Sequence, residues 1–362
     1  MSLKLLRALI AAPVRAPVCR VLAPVCRVRA PVCRVHARVL VMLVSVLGVL
    51  ALVPFDARAQ GDASGYPNKA IRINVGFTPG SATDISARIF AQKFSEAWGI
   101  AVTVENVPGA GGTVGAARVA KTPPDGYTLL YAANGAMTIA PSLQSKLAYD
   151  PTRDFAPISL VLTAPSIVAV NNELPVKSFQ ELIALVKAHP GKFSYATPGA
   201  GTPQHIAGEL LKILGGLDIT HVPYRGAVFT DVIGGRVAIT LQNAGAILTS
   251  VRDGKLRGLA ITALNRSPNI PEFPTISESG FPGFEAVSWF ALLAPLGTPT
   301  ALIGKVHQET VKVLAQPDMQ ARFSQLGLDP AGTSPNELAA IIKSDIEKWA
   351  KVIKDAGITA SE

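Results

Sequence analysis

The sequence predicts an α/β fold with mainly parallel sheet, in two domains, behind a leader that stands apart from the folded part. Three observations predict it. Beyond Tyr66, short apolar runs alternate with longer stretches of helical periodicity. Two of those runs end in Gly-, Ser- and Thr-rich loops that lead into helices. No cysteine lies beyond Cys33, so the 303 residues from Gln60 onward must be held by apolar core alone, which at that length divides into two domains.

In chain order, the leader comes first. Met1 to Arg38 holds eight Lys and Arg and no acid. The 17 residues Val39 to Phe55, VLVMLVSVLGVLALVPF, are almost wholly apolar, and Ala57 and Ala59 stand at the small positions of an A-x-A cleavage site. That order marks an export signal, so residues 1–59 are expected to be a signal peptide cut before Gln60. The rival is an uncleaved anchor; the run is at the short limit for a span, and the A-x-A site favours cutting. Cys19, Cys26 and Cys33 fall in the repeat APVCRVL APVCRVR APVCRVH. Its prolines break any coiled coil, and no C-x2-C spacing suits zinc.

Nine of the 34 Lys and Arg, but one of the 25 acids, lie within residues 1–59. The rest of the chain is therefore almost neutral, and a nucleic-acid or acidic-membrane partner loses its support. Strands are expected at 71–77, 101–107, 127–133, 166–172, 193–197, 219–224, 237–243, 256–262 and 290–295. A helix is expected from Ile85 to Trp98, where Ala87, Phe90, Ala91, Phe94 and Trp98 share one face and Gly99 follows. Others are expected near 112–121, 178–188, 204–215, 299–315, 317–326 and 335–355.

The chemistry-bearing stretches are loops. FTPGSATDISARIF (77–90) joins a strand to a helix through Pro79, Gly80, Ser81 and Ala82, with Asp84 at the helix start. A strand, a Gly/Ser/Thr loop and a helix N-terminus together make an anion-binding cup. YATPGAGTPQHIAGELL (195–211) repeats that grammar. Alone, either could be an ordinary turn with its cap; as a pair they could face each other across a cleft, outside the carboxyl ends of strands. Neither 77–84 nor 196–204 carries Lys or Arg, and Arg88, one turn into its helix, is expected to point away. VENVPGAGGTVGAARVA (104–120) imitates a dinucleotide motif through Gly109, Gly111 and Gly115, but the nearest acid, Asp125, sits in a turn. There is no G-x-S-x-G, Walker A or H-E-x-x-H motif. His189, His205, His221 and His307 show no metal-ligand spacing. His205, beside Glu209 or Asp231, is a candidate base, although a histidine on the first turn of a helix more often packs. Arg225 is a candidate anion contact or a surface residue.

Together these blocks resemble the Bug, or TctC-like, family, the extracytoplasmic solute receptors of tripartite tricarboxylate transporters. YPNKAIRINVGFTPGSATDISAR, VENVPGAGGTVGAARVAKTPPDGYTLL, LAYDPTRDFAPIS, YATPGAGTPQHIAGELL, HVPYRG, GKLRGLAIT, FPTISESGFPGFE and APLGTP follow in the family's order. The resemblance implies a type II periplasmic-binding-protein fold, two α/β lobes with a ligand cleft between them. Lobe one is expected to be discontinuous, 60–164 and 286–362, and lobe two to be 165–285. It implies that Phe77, Thr78, Gly80, Ser81, Ala82, Thr83 and Asp84, with Ala196, Thr197, Gly199, Gly201 and Thr202, clamp a small carboxylate. It implies a periplasmic monomer with no catalytic residue, metal or cofactor, and makes the PGAGG block structural. Partners would be the transporter's membrane subunits or a sensor kinase, so a ligand-presenting sensor is the alternative, with an exported enzyme using His205 behind it. The chain departs from the family at Thr78–Pro79–Gly80–Ser81, in a shorter stretch between Gly226 and Asp231, and at Ala238 and Gln242, where acids are usual.

Overall fold

The computed structural model describes residues 63–224, 226, 228–355, 357 and 358. The expected signal peptide and Arg225 lie outside the described residues. Residues 60–362 form a compact unit of their own.

β1 (Ile71–Val75) leads into α1 (Ala82–Trp98), β2 (Val102–Asn106), α2 (Thr113–Val119) and β3 (Thr128–Ala133). A five-residue π-helical turn, Gly135–Ile139, then runs into α3 (Ala140–Leu143). β4 (Phe155–Ala164) and β5 (Ser166–Asn171) are separated by Pro165 alone. There follow α4 (Phe179–Ala188), β6 (Phe193–Thr197), α5 (Pro203–Gly215), β7 (Ile219–Pro223), α6 (Val228–Ile233), β8 (Ile239–Asn243), α7 (Ala244–Arg252) and β9 (Leu256–Ile261). β10 (Ser288–Pro295), α8 (Thr300–Leu314), α9 (Pro317–Gln325), β11 (Asp329–Pro330) and α10 (Pro335–Asp355) complete the fold.

The strands form two sheets, ordered β11-β4-β10-β3-β1-β2 and β7-β6-β8-β5-β9. The expectation of mainly parallel sheet is corrected here. β1 pairs in parallel with β2 and β3, and β6 with β7 and β8, but β4, β5 and β10 pair antiparallel with every neighbour. The reason is connectivity. Helical crossovers enforce parallel order, whereas β4, β5 and β10 carry the chain between sheets without a helix.

β4 escaped the sequence reading because Pro157 interrupts it, and proline demotes a strand. The ladder accommodates it with an irregular register between Leu292 and Leu293, where Leu293 pairs with Pro157. α7 also escaped, since it begins directly at the end of β8 with no loop.

Each sheet buries both faces. Ile71, Ile73, Leu129 and Tyr131 turn to one side with Phe90 and Phe94 of α1 and Phe323 of α9. Leu130, Ala132, Leu160 and Leu293 turn to the other, against α2 and Leu338 and Ile342 of α10. In the second sheet, Val168, Val170, Tyr195 and Leu241 meet α4, α5 and Trp349 and Ile353 of α10. Ile167, Ala169 and Ile261 meet α6 and α7. Alternation along the strands makes this two-faced burial possible.

Close backbone approach sets the geometry beside β1. A β-carbon on Gly76 would lie 2.6 Å from the Gly112 Cα and 2.7 Å from its carbonyl oxygen. Backbone cannot yield as a flexible side chain does, so Gly76→Ala should destabilise by about 1–3 kcal/mol, the usual cost of overpacking. Urea denaturation would measure it; an unchanged midpoint would mean that the two segments are free to separate.

Candidate functional site

The first loop is built around a buried carboxylate. Ser81, in extended backbone, caps α1 by accepting from the Asp84 N–H at 3.2 Å. That cap starts the helix at Ala82, three residues before the periodicity at Ile85 announces it. Asp84 is 2% exposed. Its oxygens accept from the Gly80 N–H at 2.9 Å, from Arg88 Nε at 2.9 and 3.0 Å, and from Asn106 Nδ2 at 2.8 Å. Asn106 Nδ2 also donates to the Phe77 carbonyl at 2.9 Å. Arg88 therefore turns toward the loop, contrary to the sequence expectation, because an i, i+4 acid lies one turn below it.

Burial raises the Asp84 pKa, but the hydrogen bonds from Arg88, Asn106 and Gly80 outweigh it and the net shift is downward. The ionised carboxylate is thus saturated by protein donors. It shapes the loop, and a ligand amine would have to displace Arg88. Asp84→Asn should cost about 1.5–3 kcal/mol, the range for a hydrogen bond to a charged group. A depressed acid stabilises above the ordinary carboxylate range and loses that contribution as pH falls, so the wild-type advantage over Asp84→Asn should shrink in acid. Denaturation of both proteins at neutral and acid pH would show it; a constant difference would mean the carboxylate charge is irrelevant.

The second loop rests on two histidines. Thr202 caps α5, accepting from the His205 N–H at 3.3 Å while its hydroxyl donates to the Gly199 carbonyl at 2.7 Å. Thr197 Oγ1 lies 2.7 Å from His221 Nε2 and accepts from the Gly199 N–H at 3.3 Å. The Gly201 N–H donates to His205 Nδ1 at 3.3 Å. The two imidazoles stack, centroids 4.2 Å apart. His205 is 2% exposed and its Nδ1 lone pair is occupied, an arrangement that supports a loop rather than presenting a base. Burial depresses the His205 pKa, with Glu209 opposing and Lys212 assisting. Burial, then the His205 and Lys212 charges, push His221 down to about 3.

Both rings are therefore neutral in the fold at neutral pH. A base with a depressed folded pKa contributes stability above its unfolded value, near 6.5, and loses it as pH falls toward 3. Wild-type stability should decline from about pH 6.5 downward, before most carboxylates titrate. The decline between pH 6.5 and 5 should be shallower in His221→Asn. Equal slopes would show that the pair is not buried neutral.

The loops meet at glycine. Phe77 is half-buried with its ring against Gly112; Thr78 and Ser81 are half-buried, Gly80 is exposed, and Ala82 and Thr83 are buried in the first turn of α1. Ala196 is buried in β6, and Gly199 and Gly201 are half-buried. A β-carbon on Gly111 would sit 3.0 Å from the Ala200 carbonyl oxygen, and one on Gly135 would sit 2.9 Å from that of Gly201. Segments after β1, β2, β3 and β6 thus converge on one place, each leaving the carboxyl end of a parallel-paired strand. The Gly109–Gly112 turn achieves this with four successive positive φ angles, 149°, 45°, 67° and 99°, including Ala110. Such a backbone is costly for a residue with a β-carbon.

Sequence reasoning missed Gly135 and the π-helical turn, and the supporting role of Asn106. A signal for the first existed: YTLLYAA is followed by Asn134–Gly135, the same strand-then-glycine order as the other loops. Among the described residues no group of His, Cys, Asp and Glu could hold a metal ion. No helix among them is long and apolar enough to cross a membrane.

Two sheets joined by strand crossings, with loops from their parallel strands converging at the junction, define a two-lobed α/β binding protein. The chain belongs to the tripartite tricarboxylate transporter receptor family, TctC, whose pattern matches residues 86–358. It is 35% identical over 316 residues to a UPF0065 protein from the tcbD-tcbE intergenic region of Pseudomonas sp. strain P51, covering 86% of this chain and 94% of that one. It is 34% identical to BugT of Bordetella pertussis, covering 87% and 97%. Among solved structures, Rpa4515 of R. palustris with adipate matches at 33% identity and TM-score 0.79, covering 81% of this chain and 99% of that one. MatC of Rhodopseudomonas palustris with bound malate matches at 31% identity and TM-score 0.75, covering 80% and 100%.

Proposed function

We propose that this protein is an exported, monomeric solute receptor that holds a small carboxylate-bearing metabolite between lobe one (60–164 and 286–362) and lobe two (165–285). It delivers that ligand to the membrane subunits of a tripartite tricarboxylate-type transporter, and it performs no chemistry on it. Residues 1–59 direct it to the periplasm. The observation that carries the reading is the convergence of two capped helix N-termini and two glycine turns on one junction. The first turns of α1 and α5 hold N–H groups that precede the intrahelical ladder, and the helix dipoles make that end positive. Phe77 to Asp84 and Ala196 to Thr202 then act in two ways. Backbone amides of Thr78, Ala82 and Thr83, with the Ser81 hydroxyl, face the anion. Asp84, Thr197 and Thr202 hold the loops that present them. Relatives holding adipate and malate, both dicarboxylates, support the ligand class.

Calorimetric titration with malate and adipate, against their uncharged diesters, tests this. One of the acids should bind saturably and its diester should not. Equal binding of acid and diester, or saturable binding of neither, would overturn the carboxylate reading. Gly135→Ala should weaken the bound acid about tenfold or more by holding Gly201 away, the loss of one charge-assisted hydrogen bond being enough for that.

A further inference from the structure

The chain crosses between the sheets twice, at Pro165 and on re-entering β10 at Ser288. Both crossings end at a serine that opens the next strand, and both serines are reached by one side chain. Gln204, the second residue of α5, donates through Nε2 to Ser166 Oγ at 2.8 Å, to Ser288 Oγ at 3.0 Å and to Asn243 Oδ1. Ser166 Oγ in turn donates to Asn243 Oδ1 at 3.1 Å. Gln204, Ser166 and Ser288 are each 2% exposed or less. From the other sheet, Asn134 grips the same returning strand. Its Nδ2 donates to the Val287 carbonyl at 3.2 Å and its Oδ1 accepts from the Trp289 N–H at 3.4 Å.

A primary amide has two protons, and here three acceptors lie within reach. One proton is shared, so the amide can keep two bonds while the crossings shift relative to each other. An apolar residue of similar size would fill the same space but leave the buried Ser166 and Ser288 hydroxyls without this donor. Gln204 binds the two places where the relative rotation of the sheets must be absorbed. It also lies two residues beyond Thr202, on the helix turn that carries the second loop. Asn134 precedes Gly135, which touches that loop at Gly201.

We propose that Gln204 is a positioning residue that couples the angle between the lobes to the placement of the second loop. It sets how large a fraction of the protein is closed and binding-competent, and it does so without touching the ligand. Its ligand arm rests on the function proposed above; its conformational arm does not. Apparent affinity falls in proportion to the competent fraction, so loosening this tie weakens binding chiefly through faster release.

The test replaces Cys19, Cys26 and Cys33 with serine and places spin labels at exposed Lys121→Cys and Lys187→Cys, one by each sheet. Pulsed dipolar spectroscopy then reads the interlobe distance distribution in ligand-free protein. Gln204→Met should broaden it, while Ser159→Ala, a buried hydrogen-bond lesion far from the crossings, should lower thermal stability and leave it unchanged. With malate and adipate as probes, Gln204→Met should bind roughly tenfold to hundredfold more weakly, with most of the change in dissociation rate. A wild-type distance distribution in Gln204→Met, whatever its melting temperature, would overturn the proposal. If Gln204→Met does not fold, Ser288→Ala, which removes one crossing from the tie, is held to the same criterion. If wild type binds neither acid, the ligand reading fails and the distance measurement still decides the role of Gln204.

Discussion

The passage from β4 to β5 through a single residue, Pro165, constrains the rest of the fold. A strand that leaves one sheet and enters another through one residue ties an inner strand of each sheet to the other. It also sends β5 antiparallel to its neighbours and leaves the parallel strands β1, β2, β3 and β6 to supply the βα loops. In open α/β sheets such loops gather at the carboxyl ends of the strands. The approach of the loops after β2 and β3 to Ala200 and Gly201, and of the loop after β1 to Gly112, is therefore a consequence of topology before it is a matter of side chains.

What gathers there has an unusual electrostatic composition. The first loop contains an acid, yet that acid is consumed by Arg88, Asn106 and Gly80. The second rests on imidazoles kept neutral by burial. Charged side chains thus stiffen the loops and are spent in doing so. Under the function proposed above, the attraction left over for an anion would come from oriented peptide dipoles, whose partial charge needs no reorganisation and carries no long flexible side chain to immobilise. An arginine clamp would bind more strongly but would also hold its ligand more tenaciously, a poor property for a carrier that must let go.

Much of this was legible in the sequence, and the failures have physical causes. The seven expected helices are all present because their apolar periodicity and caps agree. The two glycine loops were legible from their Gly, Ser and Thr content, although the cap of the first helix is Ser81 and not Asp84, where the sequence places the helix start. β4 was hidden because its proline is absorbed by an irregular register visible only once β10 lies beside it. The direction of Arg88 could have been read from Asp84 one turn below it; only the added grip on both partners of Asn106, 18 residues beyond Arg88, was hidden. The Thr197 hydroxyl, read as a ligand contact, has an internal partner that no local pattern reveals, since His221 approaches only through the pairing of β6 with β7; that of Thr202 serves the local cap of α5.

The C-terminal helix limits how the two sheets can move. α10 has 21 residues, about 31 Å at the standard rise. Leu338 and Ile342, in its first half, pack with the six-stranded sheet, and Trp349 and Ile353, in its second, with the five-stranded one. Between them it straddles the returning crossing. Asp345 accepts from Trp289 Nε1 at 2.7 Å, just after that crossing, and Lys348 pairs with Glu285 just before it. A sliding motion of one sheet along the other would pull one half of the helix out of its core, and each buried large side chain resists with about 1.5–3 kcal/mol. A rotation about an axis close to the helix displaces its two halves less than such a slide does, and the side chains of Gln204 and Asn134 are bonded at the crossings about which it would turn.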